Sequence, residues 1–116
     1  MWMVPPSIMC DRHLLGEHVE LHMLVGALRR RARIDGYVRK GLLEVASIES
    51  RHEEIVQEML RRGFKHSSPL KMEDVDLSYL PEEVLNARVD RERSLRDLLS
   101  RCPRCRERYE RLSAPS

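Results

Sequence analysis

The chain of 116 residues fits one domain, 1–116, and its core must be aliphatic, because 41% of the residues are hydrophobic but only 4% are aromatic. No apolar run approaches the roughly 20 residues that cross a bilayer, and no signal peptide is readable at the start, so we expect a cytoplasmic protein with no membrane partner. The net charge of +2 is too small to indicate a nucleic-acid partner by itself.

The chain begins with an extended arm followed by a long helix. Pro5-Pro6 disfavours helix in residues 1–9. Apolar residues at helical spacing then predict a helix from about Asp11, its N-cap, to about Ile34, ended by Gly36 in a left-handed conformation. The apolar positions that define its buried face are Leu14, Leu21, Leu24, Val25 and Leu28.

A second helix is predicted from about Val38 or Gly41 to Arg62, with Gly63 as its stop. Its buried face is marked by Val45, Ile48, Ile55 and Met59. The following stretch, 64–79, contains Ser and Pro residues together with several acids and is typical of a loop.

A third helix is predicted to begin near Pro81, a favourable first-turn residue, and to run to Cys102-Pro103. The tail, 101–116, is expected to be a short helix or coil. The sequence therefore predicts a compact all-α protein of about three main helices, with an extended N-terminal arm and a short C-terminal tail.

Basic residues are concentrated in two segments of the chain. Residues 29–40 hold six basic side chains against one acid, and residues 101–111 hold five arginines against two glutamates. Such segregation is compatible with a basic face that contacts phosphates, but on charge alone ordinary solvated helix surface is the favoured interpretation.

Polar residues interrupt the apolar face of the first helix. Glu17 lies near the middle of that face, and His13 and Glu20 lie at its edge. His52 shares the buried stripe of the second helix, so it is expected to complete a polar cluster with them. Carboxylates on an apolar face are costly unless they are paired or functional, and a structural His–Glu network remains the alternative.

Longer strings in the chain resemble the pyrimidine-dimer DNA glycosylase family, over roughly residues 4 to 100. His13-Leu-Leu-Gly-Glu17-His-Val-Glu20-Leu21 is similar to the opening helix of that family. Three further strings are similar to its later parts: Arg51-His52-Glu53-Glu54, Glu58-Met59-Leu60-Arg61-Arg62-Gly63-Phe64 and Tyr79-Leu80-Pro81-Glu82-Glu83.

The resemblance implies a compact helical enzyme that combines DNA glycosylase and abasic-site lyase activities without a cofactor. In this family the α-amino group of the chain attacks the sugar C1′ and forms a Schiff base, while a glutamate on the first helix stabilises the opened sugar and moves protons. Glu20 matches that glutamate. Because Trp2 is bulky, aminopeptidase should leave Met1 in place, which makes Met1 the candidate amine. An α-amine is also less basic than a lysine side chain, with a pKa of ~8 against ~10.4.

The expected partner is double-stranded DNA that carries damage, and no obligatory protein partner is readable. Basic and aromatic side chains are expected to hold the strand while a nucleotide leaves the stack. The candidates are Arg29, Arg30, Arg33, Tyr37, Arg39, Lys40, Arg61, Arg62, Lys65 and His66.

The chain also departs from the family. Val19 and Met23 stand where the phage member has arginines beside the glutamate, and Tyr37 replaces a histidine. A relative that binds DNA without catalysis is therefore the alternative.

Two metal-binding hypotheses compete with these. Cys10-Asp-Arg-His13 and Cys102-Pro-Arg-Cys105 supply the ligands of a structural Cys₃His zinc site. In an antiparallel bundle the start of the first helix and the end of the third lie at opposite ends, so these pairs meet only if the tail returns. Glu49-Ser-Arg-His52, with His18 and His22, is a weaker match to a di-iron helical bundle, which needs a second such motif.

Overall fold

A computed structural model describes residues 1–66 and 68–114 of the chain. Over these ranges it contains six α-helices, two 3₁₀ turns and no strand, which confirms the all-α prediction. The helices are α1 (Asp11–Arg29), α2 (Asp35–Arg39), α3 (Ile48–Arg61), α4 (Glu82–Leu85), α5 (Arg91–Arg101) and α6 (Pro103–Ser113). The 3₁₀ turns are Pro6–Ile8 and Val45–Ser47. No helix within the described residues is both long and apolar enough to cross a membrane.

The core forms where α1 packs against α3. All of the apolar residues predicted for the buried faces of the first two helices are buried, and they form one cluster. Their spacing places them on one side of each helix, so the two helices bury their stripes against each other. The arm covers the end of this pair, because Met1, Val4, Ile8 and Met9 belong to the same cluster.

The first predicted helix is too long, since α1 ends at Arg29 instead of Ile34. Arg31 adopts a left-handed conformation with φ +55°. Its N–H donates to the Leu28 carbonyl at 3.0 Å, and that of Ala32 donates to the Ala27 carbonyl at 3.0 Å. This pair of bonds is a Schellman motif, which ends a helix by turning the chain back on its last carbonyls.

The glycine predicted to end the first helix is wrongly assigned. Gly36 lies inside α2, and Gly41, with φ +71°, occupies the left-handed position after it. The turn at Gly41 separates α2 from α3, so the second predicted helix begins at Ile48 and not at Val38 or Gly41. Gly63, with φ +85°, follows α3 as predicted.

The third predicted helix is broken into two. α4 ends at Leu85 and α5 begins at Arg91, because Asp90 caps α5 by accepting a hydrogen bond from the Arg93 N–H at 3.1 Å. The tail continues as α6, with Pro103 at its first position, and packs against the turn in the arm. This return brings the junction of α5 and α6 to the start of the chain.

Candidate active site

The α-amino nitrogen of Met1 lies against α1. It donates hydrogen bonds to Glu20 Oε1 at 2.5 Å and to the Leu42 carbonyl oxygen at 2.9 Å. The Glu20 side chain is 49% exposed, whereas Met1 as a whole is 6% exposed. The structure thus brings together the amine and the carboxylate that the sequence selects as the reacting pair.

A buried ion pair holds the arm in this position. Arg51 Nε donates to Glu17 Oε2 at 2.6 Å, and both side chains are almost completely buried. Glu17 Oε1 accepts the Trp2 N–H at 3.0 Å, and Arg51 Nη1 donates to the Val4 carbonyl at 2.6 Å. Glu17 and Arg51 are therefore positioning residues. Their contacts fix Trp2 and Val4, which follow Met1 in the chain, and do not involve the amine itself.

Sequence reasoning missed Arg51 although a signal was present. Arg51 lies three residues after Ile48 and four before Ile55, on the same buried face of α3. A guanidinium at such a position requires an acidic partner. Glu17, at the centre of the facing apolar stripe, is that partner.

A second network holds the loop that carries Leu42. The Glu44 carboxylate accepts hydrogen bonds from Arg91 at 2.6 and 3.0 Å, from the Val89 N–H at 2.8 Å and from the Ser47 hydroxyl. Burial by itself would raise the pKa of Glu44, but these donors outweigh it and hold that pKa at about 2. The Glu44 N–H also donates to the Met1 sulfur at 3.5 Å, so the loop and the first residue are fixed together.

An open cleft of about 430 Å³ leads to Glu20. It is bordered by Trp2, Arg12, His13, Gly16 and Arg101 as well as Glu20. The volume falls within the range of small-molecule sites. Glu17 also lines the cleft, which thus combines two carboxylates, two guanidinium groups, one imidazole and one indole. The guanidinium groups and the indole suit a sugar-phosphate group beside a planar base.

Large apolar side chains are exposed around the amine. Val19 and Met23 flank Glu20 on α1 and are 55% and 68% exposed. Leu42 and Tyr37 are also exposed, at 46% and 55%. Apolar groups in this position can contact an unstacked base, but they cannot hold a phosphate.

Eight of the ten predicted DNA-contacting residues are exposed, and they form two groups. Arg30, Arg33, Tyr37, Arg39, Lys40 and Lys65 are exposed. Arg29 and Arg61 are exposed but paired, with Asp74 at 2.6 Å and with Glu58 at 2.8 Å. Arg39 and Lys40 lie three and two residues before Leu42, whose carbonyl binds the amine, so their charges are within a short chain distance of it.

The other two predicted DNA-contacting residues, Arg62 and His66, contact other parts of the protein instead. Arg62 is 12% exposed in its side chain and binds Glu58, Asp11 and the carbonyl oxygens of Pro6 and Ser7. It holds the arm against α3 instead of facing solvent. His66 lies in a cluster of histidines.

The expected polar cluster of His13, Glu17 and His52 is not formed. His52 lies instead with His18, His22 and His66, and the Nε2 atoms of His22 and His52 are 3.1 Å apart. Burial first, and then the neighbouring histidines, lower the pKa of His52 to about 4. The di-iron hypothesis is not supported by this geometry, because the group contains only histidines. Glu49 is exposed and accepts a hydrogen bond from the Met72 N–H at 3.4 Å.

The four candidate zinc ligands do meet. Cys10 Sγ lies 3.2 Å from His13 Nδ1 and 3.8 Å from Cys102 Sγ, and Cys105 Sγ lies 3.7 Å from His13 Nδ1. The condition set by the sequence, that the tail must return, is met, because α6 follows α5 as a separate helix and packs against the arm. His13 also contacts Trp2 edge to face, with ring centroids 5.8 Å apart, which connects this cluster to the cleft.

The structure therefore places an amine–carboxylate pair beside an open cleft that is lined by both basic and acidic side chains. The model of the family described as pyrimidine dimer DNA glycosylase matches residues 1–72, which include the arm, α1, α2 and α3. The match covers more than half of the chain, so the protein belongs to this DNA glycosylase family. No curated protein and no solved structure matches significantly.

Proposed function

We propose that the protein is a DNA glycosylase and abasic-site lyase that acts on damaged double-stranded DNA, with Met1 as nucleophile and Glu20 as its carboxylate. The observation that carries this proposal is the 2.5 Å contact between the α-nitrogen and Glu20 Oε1 at the edge of an open cleft. Membership of the family supports the coarser statement that the substrate is DNA.

The first reaction is displacement of the damaged base. Glu20 accepts a proton from the α-ammonium group, and the nitrogen lone pair then forms a bond to C1′ of the sugar. The bond between C1′ and the base breaks, and the base leaves with the electron pair and takes up a proton. The carboxylate lies beside the positive charge that develops on the sugar and stabilises it.

The second reaction is strand cleavage. The nitrogen, which has lost a proton to the departing base, forms a C=N bond as the C1′–O4′ bond breaks. O4′ takes the proton held by Glu20, which gives the protonated Schiff base and restores the carboxylate. That iminium acidifies the hydrogen on C2′, so Glu20 can accept it as a general base while the C3′–O bond breaks and the phosphate leaves. Water then hydrolyses the imine and regenerates the amine.

The surroundings of the pair suit an extruded nucleotide. Arg12 and Arg101 border the cleft and can hold phosphates on either side of the sugar. The exposed apolar surface of Val19, Met23 and Leu42 lies beside the amine and can contact a base that has left the stack. Lesions that weaken stacking reduce the cost of extrusion, so we expect damaged duplexes to be preferred.

Trapping with borohydride tests the proposal. Reduction of the Schiff base converts it to a stable amine link, so incubation with duplexes that contain an abasic site or a pyrimidine dimer should give a covalent protein–DNA adduct. Mass spectrometry of a peptide from the adduct should place the link on the α-nitrogen of Met1, and intact mass should show that Met1 is the first residue of the protein used.

Three proteins serve as comparisons. Extension of the N-terminus by Gly-Ser moves the amine away from Glu20 and should abolish the adduct. Glu20→Gln should retain DNA binding but lose trapping by at least about 100-fold, the usual contribution of a positioned acid or base. Glu110→Gln, an exposed carboxylate on α6, should trap like the wild type. Adduct formation by the extended protein, or none by the wild type on any duplex, would refute the assignment.

A DNA-binding protein without catalysis is the second candidate, and one observation favours it. The amine is occupied by two hydrogen bonds, and its residue is 6% exposed, so the nitrogen must be uncovered before it can react. This candidate predicts salt-sensitive binding to damaged duplexes with no adduct, and equal binding by the wild type and Glu20→Gln.

A further inference from the structure

We propose that Cys10, His13, Cys102 and Cys105 bind one structural Zn²⁺ ion, which fastens the arm to the end of the helical bundle. Tetrahedral zinc, with bonds of about 2.3 Å to sulfur and about 2.0 Å to nitrogen, places its ligand atoms roughly 3.4–3.8 Å apart. The observed separations of 3.2, 3.7 and 3.8 Å among these atoms are close to those values.

The surroundings of the sulfurs suit thiolates. The three cysteines are buried and are not joined by a disulfide. The Cys10 N–H donates to Cys105 Sγ at 3.2 Å, and the Cys105 N–H donates to Cys102 Sγ at 3.4 Å. Backbone donors aimed at sulfur stabilise negative charge, and a divalent ion removes the thiol protons when it binds.

A disulfide explains the cluster less completely. It would join two of the three sulfurs and leave one buried thiol beside His13. Zinc uses all four groups and leaves no open position, which is typical of a structural site and not of a catalytic one.

The position of the ion explains its role. Cys10 and His13 lie at the start of α1, whereas Cys102 and Cys105 lie at the junction of α5 and α6, about 90 residues later. A metal bridge between them closes a long loop and keeps the arm against the bundle. Because His13 contacts Trp2, the ion also supports the wall of the cleft next to the amine. This inference does not rest on the proposed function.

A separate observation carries a second site. The rings of His18, His22, His52 and His66 converge, and their nearest nitrogen atoms all lie within 4.8 Å of one another. The Nε2 atoms of His18 and His66 are buried and have no hydrogen-bond partner in the described part of the structure. Such atoms cost free energy unless a ligand satisfies them.

We infer that these four histidines bind a second divalent transition-metal ion of the Zn²⁺ type. Tetrahedral coordination by four imidazoles requires nitrogen separations of roughly 3.3 Å, and His22 and His52 are 3.1 Å apart. Imidazole ligands favour Zn²⁺, Co²⁺, Ni²⁺ or Cu²⁺, whereas Mg²⁺ and Ca²⁺ require oxygen ligands that this group lacks. The ion would join α1, α3 and the segment after α3.

Metal analysis of the full-length protein, purified without an affinity metal, tests both sites, and each serves as the control for the other. The wild type should contain about two zinc ions per chain. Cys105→Ser should lose the ion of the first site and keep that of the second, and His66→Ala should do the reverse. His66 follows α3 outside any helix, so its replacement is the less disruptive of the two.

Cobalt provides a second, spectroscopic readout of the two sites. Chelated wild-type protein titrated with Co²⁺ should bind it at two sites, and only the cysteine site should show a thiolate-to-cobalt charge-transfer band. His66→Ala should retain that band and lose the imidazole-only spectrum. All three thiols should react rapidly with a thiol reagent after chelation and slowly before it.

The outcomes separate the two inferences. If no charge-transfer band forms, or if mass spectrometry shows a disulfide in the protein as purified without reductant, the cysteine site is overturned. If His66→Ala binds as much metal as the wild type, the histidine site is overturned. Borohydride trapping by a metal-free protein would leave the proposed reaction intact, so failure of either site is distinct from failure of the enzyme assignment.

Discussion

Arg51 Nε donates a 2.6 Å hydrogen bond to Glu17 Oε2 between two helices, and both side chains are almost completely buried. This pair joins α1 to α3, and through Trp2 and Val4 it also joins both helices to the arm. One interaction in the core therefore positions the start of the chain, where the proposed nucleophile lies.

Arg51→Ala should reduce the free energy of unfolding by about 3–5 kcal/mol, because it leaves the Glu17 carboxylate buried without its partner. Urea unfolding followed by circular dichroism measures the change. Limited proteolysis should show faster cleavage in the arm, which loses its contact at Val4. The exposed pair of Arg101 and Asp97 provides the control, since Asp97→Asn should change stability by less than about 0.5 kcal/mol. Equal effects of the two changes would contradict this account.

Stability should fall in acid because of Glu44. Its folded-state pKa of about 2 lies below the ordinary value of 4.5, so the carboxylate form is favoured by folding. The contribution is complete above pH 4.5 and is lost as the pH falls from 4.5 towards 2. It amounts to about 1–3 kcal/mol after allowance for the half-exposed Arg91. Unfolding measured across this range should be steep in the wild type and flatter in Glu44→Gln. Glu83→Gln, an exposed carboxylate on α4, should keep the wild-type slope.

The two glycines around α2 should respond to alanine in opposite directions. Gly36 lies within the helix, and a Cβ there would meet nothing within 4 Å, so Gly36→Ala should stabilise the protein by about 0.5–1 kcal/mol. A Cβ at Gly41 would also meet nothing within 4 Å, but this residue has φ +71°, a left-handed conformation that alanine adopts at a cost. Gly41→Ala should therefore destabilise the protein by about 1 kcal/mol. Thermal unfolding compares them. Stabilisation by both would show that the left-handed turn before Leu42 is not required.

Arginines with and without an acidic partner should differ in DNA binding. Arg12 borders the cleft, so Arg12→Ala should weaken binding to a damaged duplex and reduce the slope of log K against log salt by about 1. Arg61 already contacts Glu58 through two nitrogen atoms, so Arg61→Ala should have a smaller effect. Fluorescence anisotropy over a range of salt concentrations measures both slopes. A larger loss at Arg61 than at Arg12 would place the DNA on the α3 side of the molecule.

Helical spacing was readable because it is local. The apolar stripes of α1 and α3 and the stop at Gly63 depend on residues within a few positions of one another. The ends of helices were less predictable. Arg31 and Gly41 end helices through left-handed backbone turns, and Asp90 begins one through a side-chain cap, features that many sequences can adopt. Gly36 was misassigned for this reason. Pro81, predicted in the first turn of a helix, is the residue that precedes α4.

By itself, the sequence determined an all-α protein, its family and the selection of Met1 and Glu20 as a pair to examine. Only the tertiary structure decided that Arg51 pairs with Glu17, that His52 joins three other histidines, and that two cysteine motifs about 90 residues apart share one site. Helical periodicity assigns a residue to a face, but it does not specify which distant face will pack against it. The path of the chain after α5, where α6 returns to the arm, supplies that information.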